Sequence, residues 1–215
     1  MNTAILSSAY FGPVQWYQKL ARYERVLIDP LEPFQKQTYR NRCIIATTNG
    51  TQALTVPIVH QPLTDTNQLP TMEDIRISDH GNWRHLHWNA LVSAYGESPF
   101  FEYYADDLRP FFEQRWEFLF DFNLQITLKM CELLDISPNI SSCTSSFVQE
   151  NSQISDFYAG NDFRQSIRPK HPLPDAEFQP KPYYQVFSHK HGFLPNMSIL
   201  DLLFNMGNES IFYLM

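Results

Sequence analysis

The sequence predicts an α/β fold: an N-terminal βαβ unit with a β-hairpin insertion, followed by a mainly helical half. Three observations lead to this prediction. Two short apolar runs enclose a helical pattern near the N-terminus, as in a βαβ unit. An Asn-Gly pair separates two β-rich runs, which is the strongest short signal for a hairpin. From Asn82 onward, apolar residues recur with the period of a helix.

The predicted βαβ unit begins with an apolar run from Ala4 to Ser8 and ends with another from Arg25 to Asp29. Between them, residues at near-helical spacing follow the break at Gly12-Pro13: Trp16, Tyr17, Leu20 and Tyr23. Such units are nearly always parallel and right-handed. Ligands of open parallel sheets bind beyond the carboxyl ends of the strands. We therefore expect a ligand near the Ser7 to Gly12 loop and the segment after Asp29.

The predicted hairpin joins strands at Arg42 to Thr47 and Gln52 to Ile58 through the turn from Thr48 to Thr51. Its Asn-Gly pair is typical of such turns because both residues accept a positive φ. Ile75 to Ile77 is predicted to add a third short strand after a polar loop.

The helical half is predicted to contain three helices in succession. The first begins at Asn82, and the second begins at Pro99 and stops or kinks before Pro110. The third and longest runs from about Glu113 to Asp135, where a broad apolar face is visible. Residues 144–182, rich in Ser, Asn, Pro and Gln, are predicted to form an irregular excursion.

A strand and a helix are predicted after this excursion. Tyr183 to Phe187 has the pattern of a strand. Ser198 and Asp201 have the spacing of a capping box at the start of the last helix. Gly207 is placed to end that helix.

Length and composition favour a single domain over residues 1–215. With 215 residues and 43% hydrophobic content, the chain is long enough to bury roughly 70% of its unfolded surface in one core. The net charge of −7 argues against general binding to nucleic acid, which needs a broad basic face. Cys43, Cys131 and Cys143 are odd in number and widely spaced. They predict reduced thiols rather than disulfides or a zinc site.

The chain lacks the usual signals of membrane insertion and export. No segment approaches the roughly 18 consecutive apolar residues that a membrane-spanning helix needs. The N-terminal residues lack the positive region and longer apolar stretch of a signal peptide. We therefore expect a cytoplasmic protein with no membrane span.

Lys36, Arg40 and Arg42 form a cluster of three cations in an otherwise acidic chain. One interpretation is a solvated surface of an exposed hairpin, which is the usual setting of clustered charges. The other is a clamp for phosphate or carboxylate, in which Arg supplies a planar fork and Lys a mobile point charge. The position of the cluster after a βαβ unit favours the clamp.

Histidines cluster at the start of the first predicted helix of the second half. His80, His85 and His87 lie near Asp79 and resemble a metal set, but His85 and His87 would point to nearly opposite sides of a helix. A satisfied helical histidine or a general acid/base is the alternative. No dinucleotide fingerprint, P-loop, nucleophile elbow or CxxC motif is present, so no metal and no cofactor are expected.

Several motifs in the same order resemble the WbqC-like protein family over nearly the whole chain. The matching residues are Tyr10 and Pro13 with Tyr17 and Lys19 downstream, FQKQTYRNRCII at Phe34 to Ile45, NGTQALTVPI at Asn49 to Ile58, NWRHLHWNAL at Asn82 to Leu91 with Tyr95 and Pro99 to Phe101, and FLPNMSILDLLFNMG at Phe193 to Gly207. The chain departs from the pattern at Ser7-Ser8-Ala9, where the family often has His-Gln-Pro. Residues 157–168 also do not reproduce a Gly-rich segment of many members.

Members of this family are associated with cell-surface polysaccharide biosynthesis, and some are described as amino-acid or glycine transferases. Together with the cation cluster, the resemblance implies a transferase that acts on a small anionic substrate, such as a phosphate-bearing or nucleotide-linked molecule. The residues expected to bind substrate are Tyr10, Lys36, Arg40, Asn41, Arg42, Asn82 and Arg84. His85 or His87 is expected to move a proton near neutral pH. The alternative is a non-catalytic binding or assembly subunit that contacts a protein partner through its aromatic segment, residues 100–112.

Overall fold

The computed structural model describes residues 2–60, 69–142 and 161–215 and confirms a mixed α/β architecture. The strands are β1 (Thr3–Ser7), β2 (Arg25–Asp29), β3 (Arg42–Thr47), β4 (Gly50–Thr55) and β5 (Ile140–Ser142). The helices are α1 (Val14–Arg22), α2 (Trp83–Tyr95), α3 (Phe101–Leu108), α4 (Pro110–Glu113), α5 (Leu119–Leu133), α6 (Ser188–His191), α7 (Ile199–Met206) and α8 (Ile211–Leu214). Short 3-10 helices occur at Met72–Asp74 and Gly207–Ser210.

The predicted βαβ unit is confirmed and is extended by a strand that the sequence pattern did not indicate. β1 and β2 pair in parallel, with Thr3 opposite Arg25 and Ser7 opposite Asp29. β5 pairs in parallel with the other edge of β2, so the sheet order is β1-β2-β5. Val26, Leu27 and Ile28 of β2 are consequently buried. A continuous apolar run is typical of a parallel strand that is covered on both faces.

The predicted hairpin is also confirmed, with a different turn. β3 and β4 pair antiparallel from Arg42 and Thr55 to Thr47 and Gly50. Gly50 has a φ of 101°, whereas Asn49 is not among the residues with positive φ. Only the glycine of the Asn-Gly pair therefore adopts positive φ, and the two strands stay in one-to-one register up to the turn.

The third strand predicted at Ile75 to Ile77 is wrong, because this segment forms only isolated bridges. Ile77 bridges to Ile58, and Arg76 bridges to Phe118. The same contacts explain why α5 begins at Leu119 rather than near Glu113. Backbone N–H groups of Ile77 and Leu119 donate to carbonyl oxygens of Glu117 and Ile75, respectively, at 2.9 and 2.8 Å. Extended pairing thus holds the residues before α5 out of the helix.

The other two helices predicted between Asn82 and Pro110 are confirmed closely. α2 begins directly after Asn82, although the Asn82 side chain makes no capping hydrogen bond. α3 ends at Leu108, and Pro110 occupies the first turn of α4. Proline is tolerated there because the first N–H groups of a helix have no intrahelical partner.

A strand predicted at Tyr183 to Phe187 is wrong, and a buried carboxylate accounts for the difference. Asp201 Oδ2 accepts hydrogen bonds from Tyr183 Oη at 2.6 Å and from Gln185 Nε2 at 2.7 Å. Its Oδ1 accepts from Tyr95 Oη at 3.0 Å. Asp201 therefore does not complete the predicted capping box, and only Ser198 caps α7, by accepting from Leu200 N–H. The predicted end of this helix at Gly207 is confirmed.

Part of the excursion predicted at residues 144–182 lies outside the described residues, as does Cys143. Residues 161–182 contain turns and neither a helix nor a strand. Lys19 of α1 attaches them to the βαβ unit through Asp175 at 2.9 Å and Glu177 at 3.1 Å. Lys19 is fully buried, and the Asp175 side chain is 4% exposed. Among the residues described, no helix has the length and apolar character required to cross a bilayer.

We expect Lys19→Met to lower the free energy of unfolding by about 3–5 kcal/mol, because the buried Asp175 carboxylate would lose its cation. Urea denaturation followed by circular dichroism measures this change. Lys36→Met removes an exposed lysine and is the matched control, with an expected change within about 0.5 kcal/mol. Equal losses in the two variants would contradict an anchoring role for Lys19.

Candidate functional site

A buried ion pair lies at the carboxyl end of β1. Arg40 Nε donates to Glu32 Oε1 at 2.9 Å, and Arg40 Nη2 donates to Glu32 Oε2 and, at 2.9 Å, to Ser7 Oγ. Ser7 Oγ in turn donates to Glu32 Oε2 at 2.9 Å. The side chains of Arg40 and Glu32 are 3% and 5% exposed. The predicted anion-binding charge of Arg40 is thus neutralised within the protein.

Burial raises the pKa of the Glu32 carboxyl, and the hydrogen bonds from Arg40 and Ser7 oppose that rise. Asp29, at the end of β2, adds to the rise through its negative charge. Asp29 itself pairs with Arg164 at 2.6 Å, and Arg164 pairs with Asp162. The carboxyl end of the parallel sheet is therefore covered by two groups of paired charges.

The residues that flank Arg40 form hydrogen bonds with the neighbouring loops. Asn123 Nδ2 donates to Ser8 Oγ at 2.9 Å and to the Arg40 carbonyl at 2.7 Å. Asn41 Nδ2 donates to the Val56 carbonyl at 2.9 Å, and Val56 N–H donates to the Asn41 carbonyl. Asn41 is therefore buried and internally satisfied at the position where the sequence predicted a substrate contact.

Tyr10 and His87 are buried and bonded to each other. The Tyr10 hydroxyl and His87 Nδ1 are 2.9 Å apart. Burial lowers the pKa of His87 to about 4, and a hydrogen bond with the Thr55 backbone acts in the opposite direction. His87 is consequently neutral at pH 7, and its contacts join the loop after β1 to α2 and the hairpin.

The three predicted clamp cations do not point to a common position. Arg40 is buried beside Glu32, Arg42 Nε donates to Thr55 Oγ1 at 3.0 Å, and Lys36 is exposed. The histidines separate in the same way, because His85 is exposed while His87 is buried. Residues that are close in sequence thus differ in their partners and in their exposure.

Three predicted residues, Asn82, Arg84 and His85, line an open cleft of about 260 Å³ between the start of α2 and α4. We call it the arginine cleft, and the residues that matter to its chemistry are Asn82, Arg84, His85, Trp88, Arg109 and Arg115. The first turn of α2 contributes Arg84 and His85. The N-terminal turn of a helix favours anions because its N–H groups lack intrahelical partners.

Arg84 is the least exposed of the three arginines, with 14% of its side chain exposed. Its Nη1 donates to Asp79 Oδ1 at 2.7 Å, and its guanidinium lies 4.6 Å from the centre of the Trp83 ring. Nε and Nη2 are buried and have no hydrogen-bond partner in the described residues. These two nitrogens form one edge of the guanidinium fork, the edge that can bind two oxygens of one anion.

The remaining charges of the cleft are more exposed. Arg109 pairs with Glu113 at 2.6 Å, and Arg115 lies 3.6 Å from Asp79. The hydrogen bond from Arg84 lowers the pKa of Asp79. His85 Nε2 is 2.8 Å from Asn89 Nδ2, which can only donate, so Nε2 accepts this hydrogen bond. Three arginines thus face two carboxylates beside a histidine with solvent access.

Sequence analysis missed Arg109 and Arg115, which lie in and after the break between α3 and α4. The signal was the proline at the start of α4, which indicated a change of direction but not which residues would meet Arg84.

The aromatic segment from Phe100 to Phe112 was predicted to present a surface to a partner. The structure instead buries Phe101, Tyr104, Phe111 and Phe112 of this segment. Tyr103 is its strongly exposed aromatic residue, at 73%.

Metal ligands do not cluster in the described part of the chain. No group of three or more His, Cys, Asp or Glu side chains there is arranged to hold a metal ion. Cys43 and Cys131 are free and buried, and burial raises the pKa of each thiol to about 12. The thiols are therefore protonated near neutral pH and are poor nucleophiles.

The chain is similar to known proteins over nearly its whole length. The WbqC-like protein family matches residues 8–213. The uncharacterized protein Rv1507c of Mycobacterium tuberculosis is 25% identical over 237 residues, an alignment that covers 99% of this chain and 97% of the relative. No solved structure matches the chain significantly.

We expect Arg40→Leu to lower the free energy of unfolding by about 3–5 kcal/mol, because it leaves Glu32 buried without its cation. The double variant Glu32→Leu/Arg40→Leu should lose less than the sum of the two single variants, since neither charge is then left unpaired. Denaturation of the parent, both single variants and the double variant measures this coupling. Additive losses would contradict the pairing.

We also expect His87 to make the protein less stable as the pH falls from about 6.5 to about 4. The unfolded chain binds a proton on this histidine with an ordinary pKa, whereas the folded chain binds it only near pH 4. The free energy of unfolding should therefore change by at most about 1.4 kcal/mol per pH unit in this range. Urea titrations across this range should show a flatter profile for His87→Gln.

His85→Gln is the matched control for this pH dependence. His85 lies on the same helix but is exposed, so its replacement should leave the pH profile of stability close to that of the parent. A profile flattened equally by both substitutions, or unchanged in His87→Gln, would show that burial of His87 does not produce the effect.

Proposed function

This chain belongs to the WbqC-like protein family, and we propose that it is a transferase that holds an anionic, phosphate-bearing group of its substrate in the arginine cleft. The observation that carries this proposal is the edge of the Arg84 guanidinium formed by Nε and Nη2. Both atoms are buried and have no partner among the residues that the structure describes, at the start of a 13-residue helix. Two oxygens of a phosphate or carboxylate would satisfy both donors with charge-assisted hydrogen bonds.

Arg109 and Arg115 support the same proposal through their exposure. Their side chains are 58% and 83% exposed. Exposed ion pairs of this kind contribute roughly 0–1 kcal/mol, so either arginine can exchange its carboxylate partner for a ligand at little cost. The cleft therefore offers one preorganised arginine and two adaptable ones, a combination suited to a ligand with several anionic oxygens.

In the proposed transfer step, His85 acts as the base and the arginines stabilise the leaving group. An acceptor hydroxyl or amine loses its proton to His85 Nε2 and forms a bond to the group being transferred. The bond from that group to a phosphate oxygen breaks, and the phosphate leaves with the electron pair. The arginines stabilise the negative charge that develops on the leaving group. The acceptor would replace Asn89 as the hydrogen-bond donor to Nε2.

This assignment revises the residues expected from the sequence. Asn82, Arg84 and His85 remain in direct contact with the substrate in the proposal, and Arg109 and Arg115 are added. In the proposal, Tyr10, Arg40, Asn41 and His87 act as positioning residues, since their polar groups form hydrogen bonds within the protein. We propose cell-surface polysaccharide biosynthesis as the setting, on the basis of the family resemblance alone.

The proposal predicts that inorganic phosphate, pyrophosphate or a nucleoside diphosphate raises the midpoint of thermal unfolding. A ligand at 100 times its dissociation constant should stabilise the protein by about 2.7 kcal/mol. Arg84→Gln should weaken binding roughly 10- to 100-fold, because a charge-assisted hydrogen bond contributes about 1.5–3 kcal/mol. Isothermal titration calorimetry with the same probes measures the affinities.

Arg76→Gln is the matched control for Arg84→Gln. Arg76 is 51% exposed and pairs with Glu117 outside the arginine cleft, so its loss should leave the affinity for these probes unchanged. His85→Gln should retain binding and lose turnover of phosphate-linked donors by about 100-fold or more. The proposal fails if none of the three probes stabilises the protein or if Arg84→Gln binds them as well as Arg76→Gln does.

A further inference from the structure

A second open cleft, of about 320 Å³, lies on the other side of α4 from the arginine cleft. Two aromatic residues, Phe111 and Trp116, are among those that line it. The rings of Phe111 and Trp116 stack with their centroids 6.1 Å apart and an angle of 18° between their planes. Polar side chains of α3 and α5 and of the segment between α4 and α5 form its walls.

The walls of this second cleft carry polar groups that have no partner within the described part of the chain. The side chains of Asp106, Gln114 and Gln125 are exposed, line the cleft and make no hydrogen bond there. The indole Nε1 of Trp116 is buried and also has no partner. Unsatisfied buried donors are rare in native proteins and call for an explanation, of which an unfilled ligand position is one.

We propose that this second cleft binds a neutral, hydroxyl-rich ring, that is, a saccharide unit. Aromatic side chains such as Phe111 and Trp116 contact the C–H face of such a ring. Each hydroxyl both donates and accepts, and the walls provide a carboxylate acceptor, two amides that do both and an indole donor. A mixture of apolar surface and a few convergent polar groups is typical of a small-molecule site.

Charge distinguishes the two clefts. Asp106 and Asp107 line the second cleft, and the Lys129 ammonium there lies 2.8 Å from Glu132 and 3.8 Å from Asp107. Carboxylates repel a phosphate, so the anion and the saccharide are sorted to different sides of α4. Binding of a saccharide in the second cleft does not depend on the proposed transferase function.

Saccharide binding is tested on the full chain with methyl glucoside, methyl galactoside and methyl N-acetylglucosaminide. Saturation-transfer NMR should detect at least one of them, and calorimetry should give a millimolar dissociation constant. Asp106→Ala and Gln125→Ala should each weaken binding about 10-fold or more. Both side chains are exposed, so these variants are expected to fold.

Two controls separate this inference from the proposed function. Glu97→Ala removes an exposed carboxylate outside the second cleft and should bind the glycosides as the parent does. Arg84→Gln should lose phosphate binding and retain glycoside binding. The inference is overturned if no glycoside binds, or if Asp106→Ala and Gln125→Ala bind as tightly as Glu97→Ala. Glycoside binding without phosphate binding would support the saccharide site in the second cleft and contradict the proposed function of the arginine cleft.

Discussion

The buried pair of Arg40 and Glu32 is the constraint on which the arrangement of this protein depends. Two charges that are almost fully removed from water must stay paired, since either one alone would be strongly destabilising. The pair therefore holds the segment after β2 against Ser7 at the end of β1. The adjoining bonds of Asn123 to Ser8 and of Tyr10 to His87 then position α5 and α2 on that centre. The start of α2, which lines the arginine cleft, is placed by these contacts.

The buried polar residues of the described part of the chain divide into those whose groups form hydrogen bonds within the protein and those that keep unpaired donors. Arg40, Asn41 and His87 are buried and form hydrogen bonds within the chain, so their polar groups stabilise the fold. Arg84 differs because two of its nitrogens are buried beside an open cleft and have no partner in the described ranges of the chain. Leaving such donors unpaired costs free energy, and an anion would recover it. This difference in hydrogen-bond satisfaction, rather than the density of cations along the chain, locates the candidate site.

The candidate site was only partly predictable because its members come from separate elements. Asn82, Arg84 and His85 were found because they begin a helix with a clear apolar period. Arg109 and Arg115 carry no such local signal, and they reach the arginine cleft because α4 turns beside α2. Conversely, Lys36, Arg40 and Arg42 are close in sequence but diverge in space. Residues 36–41 form turns and bends rather than a regular element, so a cluster of charges in sequence need not be a cluster in the fold.

By itself, the sequence determined the elements whose signals are local: the βαβ unit, the hairpin, the start of α2 and the break at Pro110. Apolar period, turn residues and proline act over a few positions, and no distant contact opposed them. Tertiary structure decided the rest. β5 forms because it pairs with β2. α5 starts late because Ile75 and Ile77 form hydrogen bonds with the residues around its start. The segment from Tyr183 to Phe187 does not join a sheet, because the Tyr183 side chain binds the buried Asp201. Each of these outcomes depends on backbone or side-chain partners far along the chain, which a local pattern does not contain.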